Sequence, residues 1–291
     1  MAHKNKIKPR KWMQGNLYDA YQKGIRQPKH QSKDKHNATP YIHSNQTYRT
    51  YKSQCNHFAD WLVENQIRDK DEAFKMIPTY LKSLEDRGLS PCSIVTALNA
   101  IAKAYKVSTK DIDYRAPKRE RASIKRSRYT AKRDAHFSIE ANQELIDFVS
   151  ATGLRRHELE ALHGTDLVVG SDGTYQIYVR QGKGGKQRFV DVVGNKKEIE
   201  NVVKAMKRAK NSKVFEHIHS AFDEHYYRSL YACRCYKSKA RDVEGLETKE
   251  KYICRKDKAG VVYDRKAMLY ASKQLGHNRI DVVSTNYLHN L

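Results

Sequence analysis

Leu145-Ile146-Asp147-Phe148-Val149-Ser150-Ala151-Thr152-Gly153-Leu154-Arg155-Arg156-His157-Glu158-Leu159 is the stretch that decides how this chain folds. Leu145, Ile146, Phe148 and Val149 form the apolar face of a helix that Ser138 can cap, and Gly153 is the residue type that ends a helix in the left-handed conformation. A second helix starts almost at once, from Arg155 through Leu159 and Leu162. Downstream, Tyr175, Ile177 and Val179 alternate with polar residues, Gly182-Lys183-Gly184-Gly185-Lys186 turns the chain, and Phe189 to Val193 returns it. That pattern is a β-hairpin with a Gly/Lys tip. Helices follow at roughly 195–210 and 221–240, then an irregular stretch at 241–263, a helix over 264–275 ended by Gly276, and a short last helix holding Tyr287.

Upstream, residues 44–113 read as a small all-helical domain. Tyr48, Tyr51, Cys55, Phe58, Ala59, Leu62 and Val63 share one face at helical spacing. A second helix runs through Ala73, Phe74, Ile77, Tyr80, Leu81 and Leu84, where Pro78 demands an early position or a kink. In the third, Ser90 caps, Pro91 suits the first helical position, and Ile94, Ala97, Leu98, Ile101 and Ala102 form the buried stripe. Residues 1–43 carry many lysines and arginines against only Asp19 and Asp34, with little apolar periodicity, and read as a basic N-terminal arm or a merely solvated tail. Residues 114–133 oppose the single acid Glu120 with nine basic residues, among them Arg119, Arg121, Arg126 and Arg128, and read as a basic linker. The remainder, 134–291, is a second domain with an insertion near 241–263. The fold class is mainly α with a small antiparallel β-sheet.

The 291 residues suffice for two cores, and 39% hydrophobic content excludes wholesale disorder. Lys and Arg number 56 against 33 Asp and Glu, a formal charge of +23. Such an excess calls for a polyanion; nucleic acid is the default, because each neutralised phosphate releases counterions, and an anionic membrane surface is the competitor. No apolar run approaches the roughly 18 residues needed to cross a bilayer, and Met1-Ala-His-Lys-Asn-Lys carries no signal-peptide core. Five scattered cysteines, an odd number, fit a reduced, cytoplasmic setting. Cys233-x-Cys235 with Cys254 lacks the usual zinc-ligand spacing, and the first two point to different sides of a helix. No metal or cofactor is expected.

Taken singly, each polar candidate has a plain reading. Arg155 and Arg156 can be surface charges, Lys183 a charge on a hairpin tip, His225 and Arg228 an exposed pair one turn apart, His277 a satisfied helix-end histidine, and Tyr287 a core aromatic. The ordered set is more specific: Thr-Gly-Leu-Arg155-x-x-Glu158-Leu, Gly-Lys183-Gly-Gly-Lys-Gln-Arg after a strand, His225-x-x-Arg228, Leu-Gly-His277, and Tyr287 ten residues later. This set resembles the tyrosine recombinase/integrase family over about 138–291, and residues 44–108 resemble, more loosely, its core-binding domain.

The resemblance implies an enzyme that cleaves and rejoins double-stranded DNA through a 3′-phosphotyrosine, serving a mobile element. Arg155 and Arg228 would hold the non-bridging phosphate oxygens, whose extra negative charge two guanidinium forks suit. Tyr287 would be the nucleophile, although a phenol, with an ordinary pKa of about 10, attacks poorly until cations or a base favour the phenolate. His225 would assist as acid or base, His277 would hydrogen-bond a non-bridging oxygen, and Glu158 would orient its neighbours. Lys183, on its flexible tip, would protonate the departing deoxyribose oxygen, with Lys186 as its rival. The two domains and the linker would close a clamp around DNA. Recombination would use a homotetramer on two sites, with DNA-bending accessory factors possible and a nucleoid-associated, cytoplasmic location. A type IB topoisomerase and a non-catalytic DNA-binding regulator are the alternatives. The sequence departs from the family in the long segment between Arg228 and His277, in Ser229 where histidine is common, and in a chain end four residues past Tyr287.

Overall fold

The computed structural model describes residues 8–34, 38–118, 137–183, 185–255, 258–288 and 291. The chain divides into two compact units, 1–124 and 125–291.

The first unit holds five helices: α1 (Pro9–Ile25), α2 (Asn45–Glu64), α3 (Lys70–Lys75), α4 (Ile77–Asp86) and α5 (Pro91–Tyr105). Ser44 caps α2 by accepting from the Thr47 amide, and Ser90 caps α5 by accepting from Ser93, with Pro91 in the first turn. Pro78 is accommodated by a break: α3 stops at Lys75 and α4 restarts with the proline in its opening turn, where its missing N–H costs nothing. The basic-arm reading of 1–43 needs correction. Residues Pro9–Ile25 are a helix that packs on α2 and α5, with Met13 and Leu17 fully buried. Only two aliphatic positions, one turn apart, face inward. Aromatic edges supply much of the remaining grip, with Trp12 against Tyr105 at 4.6 Å and Tyr21 stacked on Tyr48 at 4.8 Å. Gly24 lets the chain return: a Cβ there would meet the Ile42 carbonyl oxygen at 2.2 Å. Of the expected linker 114–133, residues 119–133 lie outside the described residues.

In the second unit, α6 (Gln143–Thr152) and α7 (Arg156–Glu160) precede a three-stranded antiparallel sheet of β1 (Leu167–Val169), β2 (Tyr175–Val179) and β3 (Arg188–Asp191), in that order across the sheet. β1 was not evident from its three residues. The β2–β3 hairpin pairs Ile177 with Val190, placing both on the buried face. Next come α8 (Lys196–Ala209), α9 (Glu224–Lys237), a second hairpin of β4 (Lys251–Ile253) and β5 (Val262–Asp264), α10 (Arg265–Gln274) and α11 (Ile280–Asn286). Helix α9 packs against both α6 and α10 and is buried on most sides, through Tyr227, Arg228, Ser229, Tyr231, Ala232, Cys233, Cys235 and Tyr236.

Within the long segment at 241–263 the described residues thus include a hairpin. Arg241 closes its base, donating Nε and Nη2 to the buried Asp264 at 2.8 and 2.9 Å and Nη1 to Glu250 at 2.7 Å. Asp264 also caps α10 through the Lys266 amide. The Arg241 hydrogen bonds hold its carboxyl well below the usual carboxylate range. The fold is mainly α with small antiparallel sheets. No helix among the described residues is long and apolar enough to cross a membrane.

Candidate active site

The site is built where three helix ends meet. Helix α6 ends at Gly153 with φ of 59°, a left-handed turn that a side chain would also obstruct, since a Cβ would lie 2.3 Å from the Tyr231 ring. The turn delivers Arg155 to the start of α7. Glu158 folds back to accept the Arg155 amide on Oε2 and the Arg155 Nη1 on Oε1, both at 2.9 Å. From β3, Arg188 completes the arrangement with a bidentate pair to the same carboxylate, at 2.8 and 2.9 Å. Burial alone would raise the Glu158 pKa; hydrogen bonds and charge from Arg188, then Arg155, outweigh it and lower the value to about 2.

The end of α10 supplies the second anchor. The Leu275 carbonyl accepts Nη2 of Arg155 at 2.8 Å and Nη2 of Arg228 at 3.2 Å, so one backbone oxygen ties both guanidiniums together. Arg228, on α9, is fully buried and also donates Nη1 to the Gly153 carbonyl. Its Nε is a buried nitrogen with no hydrogen-bond partner among the described residues. Burial pulls its pKa below the ordinary guanidinium value, which Tyr287 partly offsets. Gly276 then turns with φ of 70° against the Arg188 guanidinium, which a Cβ would meet at 3.0 Å.

Past that turn stands His277, its amide bonded to the Ser272 carbonyl at 2.8 Å. Its Nε2 lies 3.4 Å from both Arg155 Nη2 and the Tyr287 hydroxyl. An arginine can only donate, so Nε2 is the acceptor and the neutral ring carries its proton on Nδ1. Burial first, then Arg155, Arg228, Lys183 and Arg188, lower the His277 pKa to about 4, which keeps the imidazole neutral at physiological pH. Tyr287 is not within α11 but directly follows it, buried, with its ring 5.7 Å from the Arg228 guanidinium carbon. Its carbonyl accepts the Ser229 hydroxyl at 2.6 Å. Ser229, next to Arg228, therefore holds the backbone of the tyrosine.

Arg155, Arg228, His277 and Tyr287 thus converge, linked by named contacts. Lys183 is exposed on the β2–β3 turn and, with Lys186, Arg188, Lys273 and Gly276, lines a cavity of about 280 Å³ beside them. His225 is exposed on the first turn of α9, one turn before Arg228. Arg188 is the pocket residue that motif reading left without a role. Its only sequence signal is its place two residues after Lys186 on the returning strand, and the acceptors at Gly153 and Leu275 are backbone atoms with no signal at all. Among the described residues no group of three or more His, Cys, Asp or Glu side chains is placed to hold a metal ion. Cys233, Cys235 and Cys254 are buried thiols within the second core.

No protein-family model matches the chain, and no curated protein matches it. Among solved structures it is similar to the XerH site-specific recombinase bound to difH substrate in a pre-cleavage complex, at 15% identity over 98% of this chain and 95% of that one, with a TM-score of 0.53. It is also similar to XerH in a post-cleavage complex with palindromic difH, at 15% identity over 84% and 76% of the two chains, with a TM-score of 0.50. At such identity the likeness is one of fold. The chain has the fold of a tyrosine recombinase.

Proposed function

We propose that this protein is a DNA strand-cleaving and rejoining tyrosine recombinase that acts for a mobile element. The observation that carries the reading is the placing of the Tyr287 hydroxyl, a neutral His277 and the paired Arg155 and Arg228 guanidiniums in one pocket. In the proposed reaction the two guanidiniums hold the non-bridging oxygens of the scissile phosphate, neutralising the charge that grows on them in the transition state. Tyr287 Oη forms a bond to phosphorus as the bond from phosphorus to the 5′-oxygen breaks. The phenol proton leaves first to Nε2 of His277, its nearest acceptor, with His225 available for relay once DNA is bound. The 5′-oxygen departs as a hydroxyl with a proton from Lys183. Rejoining reverses each transfer. The product phosphotyrosine keeps the energy of the phosphodiester, so the cycle consumes no nucleotide.

The similarity to XerH in complexes with its difH substrate supports DNA as the partner, and the +23 formal charge supports it independently. The two units and the basic linker would enclose the duplex, and strand exchange would bring four protomers to two sites, with accessory factors that bend DNA as optional helpers.

The test is covalent trapping. The protein is incubated with a library of nicked duplexes of randomised sequence, and the DNA that stays on it through denaturing electrophoresis is sequenced. The expected result is a protein–DNA adduct in the wild type and none in Tyr287→Phe, with DNA binding retained. An adduct that persists in Tyr287→Phe overturns the assignment of the nucleophile; binding without any wild-type adduct favours the non-catalytic regulator.

A further inference from the structure

The hairpin at 251–264 reaches the segment that carries Tyr287. Lys258, in the connection between β4 and β5, donates Nζ to the carbonyls of Ser284 and Leu288, each at 2.9 Å. These two oxygens flank Tyr287, one on the last turn of α11 and one just past the tyrosine. The last carbonyls of a helix have no partner within it, and a cation there also meets the negative end of the helix dipole. Two further side chains of the same hairpin touch the segment. Tyr263 donates its hydroxyl to the Leu288 carbonyl at 3.5 Å, and Tyr252 Oη lies 3.4 Å from Ser284 Oγ. The Lys258 ammonium sits 6.0 Å from the Tyr263 ring centre, so the lysine is itself steadied within the hairpin. The hairpin is in turn fixed by the Arg241–Asp264 pair at its base.

The geometry points to Lys258 as a positioning residue for the nucleophile: the hairpin insertion grips the backbone on both sides of Tyr287 and sets where its hydroxyl stands relative to His277 and the two guanidiniums. This rests on the reading of Tyr287 as the attacking residue. The phenol oxygen is carried just past the end of a seven-residue helix, while the reaction needs it aligned on phosphorus within a fraction of an ångström. The Tyr287 amide is already tied to the Val283 carbonyl at 2.9 Å, and its own carbonyl to Ser229. Lys258, with Tyr263 and Tyr252, adds ties that link this segment to an element outside the pocket.

The test compares Lys258→Met and Lys258→Arg with wild type in two measurements. The first is adduct formation on a nicked duplex at saturating DNA, alongside DNA affinity. Misplacing a reacting atom by about an ångström costs up to about a hundredfold, so losing one of several ties should slow adduct formation about tenfold in Lys258→Met. Affinity should be unchanged, and the arginine should restore much of the rate. The second is amide hydrogen exchange across 280–291, which should quicken in Lys258→Met and recover in Lys258→Arg. Weakened affinity with an unchanged saturated rate would make Lys258 a phosphate contact and overturn the proposal, as would unchanged rate and exchange. If the wild type forms no adduct, the nucleophile reading fails, and the exchange measurement still decides whether Lys258 holds the segment.

Discussion

All of the buried polar and charged residues among the described ones, including Arg155, Glu158, Asp166, Glu198, Arg228 and Asp264, belong to the second unit; the core of the first is apolar throughout, aliphatic and aromatic apart from Cys55. Burying a charge costs several kcal/mol even after relaxation, and a hydrophobic replacement of the same size is often more stable. The first unit follows that economy and fully buries no lysine or arginine among its described residues. The second departs from it at several places: Asp166 pairs with Arg180, Glu198 with Arg234 and Asp264 with Arg241, while Arg155, Glu158 and Arg228 gather at the pocket, the pattern expected where charge is wanted for chemistry and must be held still before substrate arrives.

The sharpest way to break this contrast is through an exposed cation of the second unit. Lys183→Ala should slow cleavage by roughly 10²–10⁴-fold, the range of general acid catalysis, with stability unchanged. Replacing the leaving 5′-oxygen by sulfur should restore the rate, because a thiolate leaves without a proton. Rescue of Lys186→Ala alone would move the role to Lys186.

Next in size is the carboxylate that holds the buried arginines. Glu158→Gln leaves Arg155 and Arg188 without their shared counter-charge and should destabilise the second unit by about 3–5 kcal/mol, the usual cost of breaking a buried pair. Both tryptophans, Trp12 and Trp61, lie in the first unit, so their fluorescence should report an unfolding transition left in place while amide exchange in 140–288 accelerates. A parallel loss in the tryptophan signal would mean that the two units do not unfold independently.

The converse probe is Leu17→Ala, which should cost the first unit about 2–5 kcal/mol as a core truncation and lower the tryptophan-reported midpoint. No change in that midpoint would return α1 to the status of an arm.

The smallest effect is in acid. His277 has a folded pKa of about 4 against an ordinary 6.5, so the unfolded chain takes up its proton first, and stability falls as pH drops from 6.5 to 4. Glu158, at about 2 against 4.5, adds a further loss between 4.5 and 2. Urea titrations across these windows should show both losses in the second unit, and His277→Asn should flatten the upper one.

What the sequence disclosed, and what it withheld, follows the same division. Helices with a single apolar stripe, such as α2 and α5, were plain from spacing and from the caps Ser44 and Ser90. Helix α1 was hidden because aromatic edges and a glycine contact do the work that an aliphatic stripe does elsewhere. In the pocket, the residues that form the motif set were legible, but their union was not. It depends on Arg188, whose partner lies thirty positions away in sequence, and on two backbone carbonyls. The hairpin within 241–263 was legible as extra length with paired short runs at Tyr252-Ile253 and Val261-Val262-Tyr263, but not its grip on the Tyr287 segment, which runs through single contacts of Lys258, Tyr263 and Tyr252.

The Leu275 carbonyl that seats both guanidiniums has a consequence for how such a site can change through descent. No codon specifies a carbonyl oxygen, so no single substitution deletes it; a change at position 275 alters the side chain and leaves the seat in place. The separation of the two guanidiniums is therefore set by the course of the main chain at the end of α10. Side chains around the seat can change while that spacing persists.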